Sequence, residues 1–402
     1  MWKLALVFAV IVLLLNRRWN LAYVLLLAST LLGLLFGMPV LEVLRQTWVA
    51  VIEVESLRLV AAVLLIAVLG ELLRQVKSMQ RLVDSLQMLI RDPRLVLGII
   101  PALIGLLPMV GGAMMSAPMI EEIGSRLNLS PERKTFLNYW FRHVWEYVFP
   151  LYPALILIAG MTSVSLTEIM IAQAPLTVGA IAGGAVVGLR GIKRPSPDSP
   201  AVPLSERWLG LRELTSSIWP IALVIVLSLA FNVEVVLSLV IAIVLAAAFN
   251  RVGLHTVGQI LRRGLSPTTA LLVWGIMIFK HMVSVSGGAD TLSTTLASWG
   301  IAPVITTVTV SFSIGLLTGH AIPMVAIGFP LLQPLFSGSD IYVKYVMLTF
   351  GAGFTGVLLS PIHLCLALTR QYFNAAWAPL YRLLLPSAAI LALAVTLAWF
   401  VP

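Results

Sequence analysis

Long apolar runs separated by short polar breaks fill the chain from its first residues. Leu4–Leu15, Leu21–Phe36, Val60–Leu69, Ile221–Phe231 and Val235–Phe249 are nearly uninterrupted. A tilted helix of about 20 apolar residues crosses a bilayer core of about 30 Å, and about 17 suffice. With their flanks, several of these runs reach that length. Alternating segments of about ten residues, the mark of a membrane barrel, do not occur. The pattern predicts spans at 2–15 and 20–36, an amphipathic connector at 40–56 and a third span at 57–73. A second amphipathic stretch follows at 75–92, then an apolar segment broken by Gly and Pro at 95–120. An interrupted fourth span at 135–160 and a last span at 168–189 complete the series.

The same series returns at 216–231, 234–249, 251–266, 268–283, 285–300, 303–332, 343–368 and 378–400. Ile104-Gly105-Leu106-Leu107 recurs as Ile314-Gly315-Leu316-Leu317, an interval of 210, and Leu86 and Pro93 match Leu296 and Pro303 at that interval. Further along, Pro118 matches Pro330, Pro150 matches Pro361 and Pro175 matches Pro386. One register held across both halves indicates a duplication. The fold class expected is an all-α polytopic membrane protein with a first repeat at 1–190 and a second at 214–402. Between them, 191–213 carries Pro195, Pro197, Pro200 and Pro203 and reads as a cytoplasmic linker.

The broken segments decide the topology. Leu107-Pro108-Met109-Val110-Gly111-Gly112-Ala113 interrupts one apolar stretch and Thr318-Gly319-His320-Ala321-Ile322-Pro323 the other. Proline removes a backbone donor and glycine frees the dihedrals, so each segment reads as two half-helices meeting at a re-entrant tip. Irregular backbone at membrane depth persists only inside protein or beside water. Five spans per half then remain, and an odd number inverts the second half relative to the first. With both termini outside, 19 of the 26 basic residues fall on cytoplasmic stretches. Only Lys3, Arg45, Arg58 and Lys344 fall outside, while Arg142, Lys280 and Arg382 lie within or beside spans. That asymmetry follows the positive-inside rule and predicts an inner (cytoplasmic) membrane location.

Composition adds exclusions. The chain is 59% hydrophobic and 11% charged, with a mean hydropathy of +1.00; soluble domains hold about 25% charged residues. The net charge of +9 is absorbed by topology, so it calls for no nucleic-acid partner. Asn16-Arg17-Arg18, rather than a small-residue cleavage site, follows the first apolar run, so that run reads as a retained helix. Cys365 is the only cysteine, which rules out an intrachain disulfide, and a cysteine-based metal site is not expected either. No His-Glu-x-x-His, Gly-x-Ser-x-Gly or Walker-type motif is present, so neither an enzyme nor an ATP-driven pump is expected. A channel filter motif is likewise missing.

Discontinuous helices in repeated halves point to a transporter site at the bilayer midplane. Helix N-termini there favour anions, and freed carbonyls favour Na⁺ or a protonated group. The substrate-side candidates are Gly111, Gly112, Met114 and Ser116 at the first tip and Thr318, Gly319 and His320 at the second. Thr355 and Ser360 are added from breaks expected at Gly351–Gly356 and Ser360–His363, facing the break at Phe149–Pro153. Otherwise these Gly and Pro residues serve close helix packing. Asn138–Glu146 is the one cluster of ionisable groups inside an apparent span. Arg142 could grip a carboxylate or phosphate bidentately. Alternatively Arg142 and Glu146, four apart, pair on one helix face and fix packing. His143, Glu146, His320 and His363 are the candidates for a coupling proton or ion. No organic cofactor and no metal ligands are expected; Na⁺ or H⁺ coupling is. The expected partners are a small anionic substrate, the lipid bilayer and a second copy in a homodimer.

At Pro108-Met109-Val110-Gly111-Gly112-Ala113-Met114-Met115-Ser116-Ala117-Pro118 the chain resembles an uncharacterised family of prokaryotic integral-membrane proteins, domain of unknown function 401. That family resembles the ion-transporter superfamily of gluconate, citrate and dicarboxylate carriers and arsenite permeases. The resemblance implies that hairpin tips and helix breaks bind substrate and cation, giving such roles to Gly111, Gly112, Ser116, Gly319, Thr355 and Ser360. It also implies a transport domain moving against a dimerising scaffold. The chain lacks the paired Ser-Asn-Thr tips of sodium-coupled dicarboxylate carriers. The function expected is a cation- or proton-coupled carrier of a small organic anion, a symporter or antiporter working by alternating access. The apolar Met109-Val110 and Met114-Met115 leave a carrier of lipid-linked or amphiphilic phosphate as an alternative. A membrane-embedded enzyme or scaffold subunit is the alternative of another class.

Overall fold

The computed structural model describes residues 2–90, 92–106, 112–162, 164–192, 204–288, 291, 294–295 and 298–401, without the side chains of 79, 83, 87 and 204–206. Among these, the regular elements are helices and no strand occurs. The first half runs α1 (Trp2–Asn16), α2 (Leu21–Leu35), α3 (Val40–Ile52), α4 (Val54–Gln75), α5 (Ser78–Leu89), α6 (Pro93–Gly105), α7 (Ala113–Arg126), α8 (Pro131–Arg142), α9 (Pro153–Met161) and α10 (Leu166–Gly188). Next come α11 (Leu204–Ile225), α12 (Val235–Phe249), α13 (Leu254–Gly264) and α14 (Pro267–Val285). The chain closes with α15 (Pro303–Thr318), α16 (Ala321–Leu332), α17 (Tyr342–Leu359), α18 (Leu364–Phe373) and α19 (Trp377–Phe400).

Local chemistry sets many of the starts. Asn20 accepts from the Ala22 N–H at 2.9 Å ahead of α2, and Ser130 accepts from Arg133 ahead of α8. Pro93, Pro131, Pro267 and Pro303 each open a helix, where a missing N–H costs nothing. Ser165 and Glu168 form a reciprocal capping box on α10. Val54–Gln75, Leu166–Gly188, Arg207–Ala230, Leu254–Val285, Tyr342–Phe373 and Trp377–Phe400 are long and apolar enough to cross a membrane. The chain is a multi-pass membrane protein.

Two expected boundaries shift. Helix α11 begins at Leu204, inside the stretch read as linker, whose residues 193–203 lie outside the described part. Helix α17 runs unbroken through Gly351–Gly356 and ends only at Ser360. Those glycines instead admit close neighbours: a Cβ on Gly353 would strike the Met324 side chain, and one on Gly356 the Phe312 carbonyl oxygen. Their job is packing, not breaking. Residues of the second amphipathic stretch, 285–300, fall partly outside the described part.

Packing gathers the helices into two groups. Helices α1–α4 join α11–α14: α14 packs on α2, α3 and α4, and α12 and α13 pack on α4. In that group Glu71 pairs with Arg74 at 2.6 Å and also with Arg263 of α13 at 3.1 Å. The other group joins α6–α10 to α15–α19, through α15 on α17, α10 on α19, α6 on α8, and α18 on α7 and α8. Each group therefore draws on both halves of the chain. They meet where α9 touches α4 and where α16 touches α14. There Lys280 reaches the Gly160 carbonyl at 3.4 Å, and Leu59 covers Gly160.

Candidate functional site

Helix α8 stops at Arg142 because the next ten residues turn rather than wind, until Pro153 opens α9. The buried Arg142 guanidinium thus sits at a helix C-terminus, where the dipole favours a cation. Its Nη1 donates to the Ile104 carbonyl at 3.1 Å, at the end of α6. It also lies against Gly112, the residue before α7: a Cβ there would stand 2.5 Å from Nη1 and 2.8 Å from Cζ. A Cβ on Gly105 would collide with the Arg142 carbonyl oxygen. Two glycines therefore let the α8 terminus dock into the α6–α7 tip. Asn138, one turn back, donates to the Ala113 carbonyl at 2.8 Å and ties α8 to α7.

The junction of α15 and α16 also packs against the end of a neighbouring helix. Helix α15 ends at Gly319 in the left-handed region (φ 61°), which a side chain would strain. A Cβ there would also stand 2.9 Å from both the His363 nitrogen and the Ser360 Oγ. Ser360 Oγ donates to the Leu316 carbonyl at 2.7 Å, binding the end of α17 to the end of α15. His320 caps α16, its Nδ1 accepting from the Ile322 N–H at 3.3 Å. Thr318 Oγ1 donates to the Ile314 carbonyl at 2.8 Å.

The two breaks then meet. His363, between α17 and α18, lies ring to ring with His143 at a centroid distance of 4.8 Å. His363 Nδ1 is 3.0 Å from the Tyr139 hydroxyl of α8, which itself donates to the Leu358 carbonyl. His143 Nδ1 is 2.6 Å from the Tyr139 carbonyl, and its Nε2 is 3.7 Å from Glu146 Oε1. Tyr152 also faces Glu146, and His320 lies within electrostatic reach of both other imidazoles. One guanidinium, three imidazoles and one carboxylate therefore converge where the broken helices end.

Several expectations need amendment. Glu146 Oε1 stands 3.7 Å from His143 Nε2, and because α8 ends at Arg142, Arg142 and Glu146 do not share a helix face. Gly111 lies outside the described residues. Met114 is half-buried in the first turn of α7. The Ser116 and Thr355 hydroxyls bond carbonyls of their own helices, Ala113 and Gly351. A cysteine-based metal site was not expected from a single cysteine. Yet one ring nitrogen each of His143 and His363 and the Cys365 Sγ lie within 4.8 Å of one another. Spacing along the chain could not reveal this, because 220 residues separate the two histidines. Asn138 and Tyr139 were visible only as members of the polar cluster, and nothing in their spacing named their partners, Ala113 for Asn138 and Leu358 and His363 for Tyr139.

The whole chain, residues 2–401, matches the family described as "Protein of unknown function (DUF401)". The chain belongs to that family. No curated protein matches it.

Proposed function

We propose that this DUF401 chain is a secondary transporter of a small organic anion, coupled to protons or Na⁺ and working by alternating access. One observation carries the reading: the helix pairs α6–α7 and α15–α16 meet the breaks of the two fourth spans around Arg142, His143, His320 and His363. Helices α6, α7 and α16, of 13, 14 and 12 residues, rise only about 18–21 Å. That is short of a bilayer core of about 30 Å, but so are the 15-residue α1, α2 and α12, and the hairpin reading rests on the Gly and Pro breaks between the paired helices. The order of elements and the shared register support two inverted repeats, 1–190 and 214–402, in the cytoplasmic membrane with both termini outside. The two packing groups fit a scaffold, α1–α4 with α11–α14, and a moving body carrying both hairpins. That division is the one an elevator mechanism within a homodimer requires, and it agrees with the resemblance to the ion-transporter superfamily.

In this reading Arg142, whose guanidinium packs on Gly112, holds the anionic group, while His320 or the His143–Glu146 pair carries the coupling proton. A second reading, transport of an amphiphilic phosphate, is favoured by one feature. An apolar groove of about 960 Å³ between α10, α17 and α19, lined by Val178, Met347, Leu393 and Leu397, would take an aliphatic tail; its charged lining is Lys344 with Glu168 and Asp340.

The test is thermal unfolding of the purified protein against a panel of organic anions and phosphates, with and without Na⁺, at two pH values. A ligand at about 100 times its Kd adds about 2.7 kcal/mol of stability. One anion class should raise the melting temperature of the wild type and leave Arg142→Gln unmoved. An equal shift in Arg142→Gln would remove that residue from the site. No shift with any soluble anion would favour the amphiphile. Uptake by reconstituted vesicles should lose its pH dependence in His320→Gln or His143→Gln; an unchanged profile in both would exclude those protons.

A further inference from the structure

We propose that His143, His363 and Cys365 form a three-ligand site for a thiophilic divalent cation of the Zn²⁺ type, joining the breaks of the two fourth spans. The three donor atoms lie within 4.8 Å of one another. Both histidines are nearly enclosed, at 3% and 7% exposure, while Cys365 is half-buried. The set is two imidazoles and a thiol, a soft and borderline combination that suits Zn²⁺ and excludes Mg²⁺ and Ca²⁺.

The surroundings already orient the rings. A metal-binding histidine normally gives its second ring N–H to a carbonyl or carboxylate, which fixes the tautomer. His143 Nδ1 is 2.6 Å from the Tyr139 carbonyl, and His363 Nδ1 is 3.2 Å from the Val357 carbonyl. With Nδ1 donating in both rings, Nε2 of each keeps its lone pair for an ion. The ring planes stand at 78°, so the imidazoles are crossed rather than stacked. Bonds of about 2.0–2.3 Å would set the ligand atoms about 3.5 Å apart. The cluster therefore closes by about an ångström on binding, a shift within reach of the Cys365 side chain in the first turn of α18.

Charge balance also favours a divalent ion. A thiolate cancels one charge, and Glu146, 3.7 Å from His143 Nε2, is placed to cancel the second. Arg142 opposes the ion electrostatically, but its guanidinium is held at Ile104 and over Gly112. An ion in this place would pin the α8–α9 break to the α17–α18 break and engage two of the imidazoles available for coupling. The inference goes beyond the transport reading and its test needs no transport.

Cobalt(II) is the probe, because a thiolate bound to it gives an intense near-ultraviolet charge-transfer band that oxygen and nitrogen ligands do not. Cys365 is the only cysteine, so any such band reports this residue. Titration of the purified protein should saturate at one Co²⁺ per chain and reverse on adding Zn²⁺. His143→Asn and His363→Asn should each weaken binding at least tenfold, and Cys365→Ser should abolish the band. The absence of a band in the wild type overturns the proposal, as does a band undiminished in both histidine variants, which would mark a lone thiol. A second measurement guards against misfolded variants: Zn²⁺ should raise the melting temperature of the wild type and not of Cys365→Ser. Equal Zn²⁺ shifts in the two would also overturn it.

Discussion

Gly315 and Gly356 leave no room between α15 and α17. A Cβ on Gly315 would overlap the Gly353 carbonyl oxygen, and one on Gly356 would overlap that of Phe312. A carbonyl fixed in a helix cannot swing aside as a side chain can, so the two helices must separate. Gly315→Ala and Gly356→Ala should each destabilise the protein by about 1–3 kcal/mol, read as a lower melting temperature in detergent. Gly70 of α4 has nothing within 4 Å, and Gly70→Ala should instead add up to about 1 kcal/mol from helix propensity. The same loss at all three positions would contradict this packing. These residues also show where sequence reading runs out. Glycine both loosens a helix and lets another approach, and the run Gly351–Gly356 looks alike in either role. The partner that decides, Phe312, lies 44 residues away. Caps such as Asn20 and Ser165 are local by contrast, with partners two or three residues on.

At the scale of elements, the seam between the two packing groups decides whether one body moves against the other. Gly160 of α9 faces Leu59 of α4, and a Cβ on Gly160 would stand 2.7 Å from Leu59 Cγ. A cysteine sulfur takes roughly the place of that Cγ, and a disulfide sets it about 3 Å from the opposite Cβ. In a Cys365→Ser background, Leu59→Cys with Gly160→Cys should therefore cross-link on mild oxidation. If α9 travels relative to α4, the oxidised protein loses uptake at least tenfold and recovers it on reduction. Uptake unaffected by a complete cross-link would exclude sliding along this seam. The helices themselves were readable from hydrophobic length and proline position, because both act within one element. The seam was not, since it depends on which apolar faces meet, and apolar faces in this chain are nearly interchangeable. The meeting of His143 with His363 and Cys365 was hidden for the same reason.

At the scale of the whole molecule, inversion of the halves is a claim about sides. In the proposed topology the basic residues around 74–94, 126–134 and 190–212 would put the exit of the first hairpin in the cytoplasm. The exit of the second, near 337, carries Asp340 and the lone Lys344, and would lie outside. Ser125, in the last turn of α7, and Ser337, after α16, are both exposed and occupy comparable places in their halves. A plain tandem duplication with an even number of crossings would put them on one side. Inversion puts them on opposite sides. With Cys365→Ser as background, Ser337→Cys should react with a membrane-impermeant maleimide in intact cells. Ser125→Cys should react only after the membrane is opened. If both label in intact cells, or neither does, the inverted arrangement fails, and with it the argument that the two hairpins enter from opposite faces. Opposite labelling would mean that Arg142 and His320 approach one central site from opposite sides of the membrane, the geometry alternating access needs.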